Sequence, residues 1–282
     1  MTWNLWWRFA GWRERREAIL HTLQAERPDV LGVQEVWADS GPGGENLAGW
    51  LAERLGMHWT WSRATAQERW HARNGGDTGV DVGVAVLSRY PFLAVAERAL
   101  PTPPGHRDDG KTALHTLLDA PGGPLPFFTT HLDSGLAASE VRCAQVRELA
   151  AFVAEHARGP YPPVVTGDFN AEPDFDEMRL IRGYQTAPAV PGQVLLDAWR
   201  FADPALPQGT WDIRTPEAVN FGGRPSCVDH ILVGPPGPDS RGWVRTVRRT
   251  GDRPVAGVWP SDHAAVLAEL SPPDPSLRLS GA

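Results

Sequence analysis

The stretch Val164-Val165-Thr166-Gly167-Asp168-Phe169-Asn170, residues 164–170, decides how the chain is read. Val164–Thr166 is a short apolar run, which predicts a buried strand running into Gly167-Asp168. Glycine lets the backbone turn tightly or lets a ligand approach closely. Asp168 and Asn170 are two apart, so in extended backbone they face the same side. A carboxylate there can orient and deprotonate water while the amide holds a phosphate oxygen. The competing reading is an Asx turn after a strand, which aspartate and asparagine make readily.

The pattern leading into this stretch occurs twice. Leu125–Thr130 predicts a strand. Ser139–His156 predicts a helix with Val141, Leu149, Phe152 and Val153 on one face, stopped by Gly159-Pro160. The opening has the same order. Thr2 to Trp7 reads as a strand, then Trp12, Ile19 and Leu23 fall at helical spacing through Glu26, and Pro28-Asp29 breaks the helix. Val30-Leu31-Gly32-Val33 is a second short strand, ending in Gln34-Glu35. Each strand–helix–strand unit thus delivers an acid just past its second strand, Glu35 in one and Asp168 in the other. A helix is predicted near 45–55, and further strands near 57–62, 82–88, 92–100, 112–118, 227–233, 243–249 and 264–270. Strands mixed with helices in both halves imply an α/β layered domain, here residues 1–271. The proline-rich, aperiodic residues 272–282 are expected to form a disordered tail.

Composition narrows the function. The 282 residues show no break in composition, and 41% are apolar, enough for one large core. Twenty-seven lysines and arginines against 34 aspartates and glutamates leave −7, which argues against a globally basic wrapper of nucleic acid. Cys143 and Cys227 are too few for a disulfide scaffold or a cysteine zinc cluster. No apolar run reaches the roughly 18 residues of a membrane span, and Arg8 interrupts the apolar N-terminus, so a cytoplasmic protein is expected. The nucleophile elbow, the P-loop and the zinc helix His-Glu-x-x-His are all missing from the sequence.

Polar residues gather where open sheets do chemistry, at strand ends. They are Asn4, Glu35, His131, Asp168, Asp229 and Asp262-His263. Glu35 follows an apolar run and is either a surface cap or a metal ligand; magnesium is held by one or two such carboxylates plus water and substrate phosphate. His263 beside Asp262 can stay protonated and stabilise charge on a transferring phosphoryl group, or it is a surface histidine by a strand cap. His131, in Thr129-Thr130-His131-Leu132-Asp133, is an acid or a polar strand end.

In order, these pieces resemble the endonuclease/exonuclease/phosphatase superfamily, whose relatives include deoxyribonuclease I, abasic-site endonucleases, neutral sphingomyelinases and inositol-polyphosphate phosphatases. The matching segments are Thr2-Trp3-Asn4, Gln34-Glu35, residues 81–89 (DVGVAVLSR), Thr130-His131-Leu132, Gly167-Asp168-Phe169-Asn170, Val228-Asp229-His230-Ile231 and Ser261-Asp262-His263. The resemblance implies a four-layer α/β/β/α sandwich of two packed mixed sheets with one magnesium-dependent phosphoesterase site, manganese being a possible substitute. It implies Glu35 as principal metal ligand, with Asn4 nearby and Asp262 assisting. Asp168 would deprotonate water, Asn170 bind the phosphate or that water, and His263 contact the phosphoryl oxygens with its ring held by Asp229. His131, backed by Asp81, would be the second histidine and a candidate acid.

The substrate is less legible. Thr210-Trp211-Asp212-Ile213-Arg214 with Asn220 and Arg224 is similar to a stretch of the abasic-site enzymes, or is an ordinary loop. Loops 63–80, 100–111, 171–195 and 202–226 would frame the pocket. Arg69, Trp70, His71 and Arg73, then His106, Arg107 and Lys111, are candidates for a phosphate-binding rim, and Trp37, Trp61 and Trp211 for the cleft wall. A monomer is expected. Its substrate is a phosphoester: nucleic acid, phospholipid headgroup or small phosphodiester. A catalytically inactive binding protein is disfavoured because the set is complete.

Overall fold

A computed structural model describes residues 1–211, 225–274 and 276. In chain order the strands are β1 (Thr2–Asn4), β2 (Val30–Asp39), β3 (His58–Arg63), β4 (Val80–Ser88), β5 (Phe92–Ala99), β6 (Thr112–Leu118), β7 (Leu125–His131), β8 (Val164–Asp168), β9 (Leu196–Asp197), β10 (Asp229–Val233), β11 (Val244–Thr250) and β12 (Ala265–Leu270). The helices are α1 (Trp12–Glu26), α2 (Leu47–Leu55), α3 (Glu68–Arg73), α4 (Ser139–His156) and α5 (Asp176–Arg182).

Two six-stranded mixed sheets result, ordered β11-β12-β1-β2-β4-β3 and β5-β6-β7-β8-β10-β9. In each, the repeated unit supplies a parallel pair. β1 lies beside β2 with Asn4 opposite Gln34, and β7 beside β8 with His131 opposite Asp168. A parallel pair needs a crossover, and α1 and α4 provide it.

Apolar side chains separate the layers. Leu23, Trp37 and Leu51 pack α1 and α2 on the first sheet, and Phe128, Leu149, Phe152 and Met178 pack α4 and α5 on the second. Val86, Leu114, Phe127, Ile231 and Val266 fill the space between the sheets. The order is therefore helix, sheet, sheet, helix. Truncating a fully buried phenylalanine such as Phe128 to alanine costs about 3–5 kcal/mol in such a core. The sheets approach closely at Gly32, where a Cβ would sit 2.4 Å from Thr166 Oγ1 and 2.7 Å from Thr129 Oγ1. Beside it, buried Gln34 donates from Nε2 to Thr129 Oγ1 at 2.9 Å and to Thr2 Oγ1 at 3.0 Å, tying the sheets together.

Several elements differ from expectation. β1 stops at Asn4 because the chain turns: Trp6 N donates to Asn4 Oδ1 at 2.9 Å, and Trp6 and Trp7 take positive φ of 57° and 34°. The buried Arg15 guanidinium holds this turn through the carbonyls of Leu5, Trp6, Trp7 and Phe9. α3 and α5 fall inside the expected loops 63–80 and 171–195, being too short to show a periodicity. Trp37 is buried core against Trp12, at 5.1 Å between centroids, not a cleft residue. The expected tail falls mostly outside the described residues; within it, Asp274 N donates to Asp239 O.

Candidate active site

Glu35 and Asp168 meet at one edge of the sandwich, Asp168 at the end of β8 but Glu35 inside β2, which runs on to Asp39 instead of ending at Gln34-Glu35 as expected. β2 carries a register shift between Val33 and Val36, and Glu35 sits in it at φ 52°. A non-glycine residue in the left-handed region costs energy and is retained where surroundings over-determine it, often at functional sites. The bulge lifts Glu35 out of the alternation, and Val36, Trp37 and Ala38 then continue the strand. Asn170 has the same backbone at φ 48°, and its N–H donates to Asp168 Oδ1 at 2.9 Å, so the competing reading, an Asx turn, holds here in place of extended backbone. Its side-chain amide donates to Leu132 O at 3.1 Å.

Asn4 bridges the acids. Its Nδ2 donates to Glu35 Oε1 at 3.2 Å and to Asp168 Oδ2 at 2.9 Å. The same Asp168 oxygen lies 3.5 Å from His131 Nε2 and 3.8 Å from His263 Nε2. His263 is fixed from behind by Asp229, whose Oδ2 is 2.9 Å from Nδ1. Trp3 Nε1 donates to His263 O at 2.9 Å, and Ser261 Oγ to Asn4 O at 2.7 Å, so the last strand's entry is locked to β1. Glu35, His131, Asp168, Asn170, Asp262 and His263 line a cleft of about 230 Å3 with Trp6, Arg69, Arg73, Phe175 and Trp211. A larger cavity, about 520 Å3, lies at the other ends of β2 and β8 and shares no residue with it.

Charge separates the two histidines. Burial opposes a proton on His263, but Asp229, Asp262 and Asp168 outweigh it and raise its proton affinity well above the usual range. Burial lowers that of His131, and the positive charges of Lys111, His263, Arg69 and Arg73 lower it further. Asp168 is raised to about 6, first by burial and then by Asp229, against the pull of His263 and the Asn4 amide.

A divalent cation fits beside Glu35. Oε2 of Glu35 is buried without a hydrogen-bond partner, a costly state for a carboxylate oxygen that a metal ion would relieve. Asp262 is raised to about 7, first by burial; His263 opposes this, and Glu35 adds to it, so a further hard-oxygen donor lies in the field of Glu35. Asp168, Asp229 and His263 also place three ligand-type atoms within 4.8 Å. There, however, Nδ1 of His263 is taken up by Asp229.

Of the expected catalytic and metal-binding residues only Asp81 is engaged elsewhere, and of the expected rim and wall residues Trp61, Trp70, His71, His106, Arg107 and Lys111 join Trp37 in not lining the cleft. Asp81 does not back His131: the neighbouring strand supplies Arg63, whose Nε and Nη2 engage its carboxylate at 2.7 and 2.8 Å, and His71 Nε2 is 3.7 Å away. Lys111 is not on the rim. It is 5% exposed, beneath His131 and Trp70. Arg107 pairs with Asp109 at 3.2 Å outside the cleft, next to His106. Trp211 does line the cleft, stacked on His263 at 6.2 Å. Asn220, Asp212, Ile213, Arg214 and Arg224 lie outside the described residues. Sequence reasoning missed Trp6, Phe175 and His230. His230 faces away from Asp229's site and holds Ala171 O at 3.0 Å and Asp197 Oδ2 at 3.0 Å, bracing the chain just after Asn170. Its position beside Asp229 in a strand was the available signal.

Fold and site together define a two-sheet phosphoester hydrolase. Residues 1–263 match the Endonuclease/Exonuclease/phosphatase family, and the chain belongs to it. A Caenorhabditis elegans protein provisionally named a neutral sphingomyelinase is 29% identical over 192 residues, 62% of this chain and 38% of that protein, so the match spans well under half of that relative. Two solved structures share the fold. A conserved Enterococcus faecalis protein of unknown function has a TM-score of 0.70 at 20% identity, over 96% of this chain and 98% of the other. A Bacteroides thetaiotaomicron mannosyl-6-phosphatase has a TM-score of 0.65 at 19% identity, over 96% and 98%. No helix among the described residues is long and apolar enough to cross a membrane.

Proposed function

We propose that the chain is a magnesium-dependent phosphodiesterase acting on a small or single-stranded phosphodiester or a lipid headgroup ester. One observation carries this reading: a single oxygen, Asp168 Oδ2, is the hub on which Asn4, His131 and His263 converge. Magnesium, or manganese in its place, held by Glu35 with Asp262, would supply a Lewis acid to the phosphoryl group. Asn4, expected as a nearby ligand, instead turns its amide N–H to Glu35 and Asp168 while its Oδ1 accepts from Trp6 N, so it positions the acids. Asp168, with a proton affinity poised near neutrality, takes the proton from the attacking water. Asn170 holds that water or a phosphoryl oxygen. His263, kept cationic and oriented by Asp229, balances the charge gathering on the phosphoryl oxygens.

Two histidines favour a diester, whose alkoxide must leave with a proton. Burial first, and then the cations around it, lower the proton affinity of His131. An arriving phosphodiester offsets those cations with negative charge, and His131, 3.5 Å from Asp168 Oδ2, passes the proton that Asp168 takes from water on to the leaving oxygen. A net charge of −7 supports a small or single-stranded substrate over long duplex DNA, whose affinity rests on phosphate neutralisation.

The test compares bis(nitrophenyl) phosphate with nitrophenyl phosphate, in magnesium and in excess chelator. Diester turnover exceeding monoester turnover, and abolished by chelator, is expected. Full activity in chelator, or monoester turnover alone, contradicts the reading.

A further inference from the structure

The cleft is lined unequally. Among the described residues, Trp211 lines it stacked on His263, while Arg69 and Arg73 line it near His131, beside which Trp70 of the same helix packs. The arginines are four apart on α3 and so stand on one face. Trp70 anchors this short helix: it is buried, edge-on to Trp7 at 5.4 Å and to His131 at 6.5 Å.

The two guanidiniums are in different states. Arg69 is ion-paired with the buried Asp109, which also takes Arg107. Arg73 has no carboxylate partner among the described residues. Its guanidinium lies over the Phe9 ring at 4.4 Å and over Trp70 at 5.4 Å. Cation–π contacts of this kind orient the planar group without neutralising it. Beneath them is Lys111, the chain's one lysine, with Nζ 5.8 Å from the Trp70 ring. The acids near this wall are otherwise engaged: Asp81 with Arg63, and Asp133 with Gly135 N at 2.7 Å. Glu172 lines the cleft but has no ion pair to Arg73.

An oriented guanidinium with no carboxylate partner among the described residues, beside a site for one phosphoryl group, is built to accept another. We infer that Arg73, with Arg69 beside it, forms a subsite for a second phosphate of the substrate, on the leaving-group side where His131 stands. The inference rests on the phosphodiesterase reading and names its substrate class: a small diester carrying a further phosphomonoester, in preference to a zwitterionic headgroup.

The experiment is calorimetric binding, with magnesium present, of ethyl phosphate and of the bisphosphates of ethane-, propane- and butanediol, a series that scans the spacing. Wild-type protein is expected to bind the best bisphosphate about tenfold or more tighter than ethyl phosphate, the scale of one added charge-assisted pair. Arg73→Gln is expected to erase that preference, and Arg73→Lys to restore part of it, since lysine keeps the charge but loses the fork. Equal wild-type affinity for mono- and bisphosphates overturns the inference, as does a preference surviving in Arg73→Gln. Arg73 is exposed, so the variants should melt like the wild type. Binding needs no turnover. Failure of the phosphodiesterase reading is seen separately, as no hydrolysis of bis(nitrophenyl) phosphate by the wild type.

Discussion

Glu35 and Asp168 occupy equivalent places in two strand–helix–strand units, yet their surroundings differ. Asp168 spends both oxygens on neighbours: Oδ1 accepts from Asn170 N, and Oδ2 from Asn4 with two imidazoles close by. Glu35 spends one, on Asn4, and keeps Oε2 buried and unpaired. The difference begins in the backbone. β8 ends regularly at Asp168, opposite Asp229 on β10, whereas β2 bulges at Glu35 and then continues. The engaged acid is suited to moving a proton; the acid with a spare oxygen is suited to holding a cation. Position in the repeat does not assign the role; the free lone pairs do.

The largest effect expected is that of Asp168→Asn. It preserves shape and removes the base, so kcat for the diester should fall by about 10²–10⁴, with metal binding retained. Metal binding lost together with activity would erase the distinction between the two acids. Next is His131→Ala. It should slow an alkyl diester about 100-fold and a nitrophenyl diester far less, because nitrophenolate leaves without a proton. Equal losses on both would remove His131 from proton transfer.

Asn4→Ala has a smaller effect that tests both acids at once. Asp168 works when ionised, so kcat/KM should rise with pH through about 6. The Asn4 amide favours the charged form, so deleting it should move that limb to higher pH. A limb that stays put would mean another group sets it. Smallest is an effect outside the site. His115 has both ring nitrogens buried and unpaired, and burial lowers it to about 4. The unfolded chain then binds more protons than the folded one below about 6.5. Stability should fall as pH drops from there to about 4, by up to about 3 kcal/mol. Melting His115→Leu and wild type at pH 7 and pH 4.5 checks this: the variant should lose less.

Much of this was legible in the chain itself. Buried runs ending in an acid placed Glu35 and Asp168, and the crossover helices followed from apolar spacing. What was not legible came from contacts between strands far apart in the chain. Asn4 reaches Glu35 from the neighbouring strand of its own sheet, and Asp168 only across the two sheets. Asp81 sits where a partner for His131 was expected, but β3 pairs beside β4 and brings Arg63 to it first. Lys111 lies in a loop-like run of Gly110 and Asp109, which gives no sign that its side chain turns inward beneath Trp70. The bulge at Glu35 has no sequence mark at all.

The most direct test of the division between the acids is manganese binding, followed by the loss of its free-ion paramagnetic resonance signal, in wild type, Glu35→Gln and Asp168→Asn. Wild type and Asp168→Asn should bind the ion comparably, while Glu35→Gln should weaken binding at least about tenfold, equivalent to about 1.4 kcal/mol. Unchanged affinity in Glu35→Gln, or a loss confined to Asp168→Asn, would contradict the assignment of Glu35 as the metal anchor.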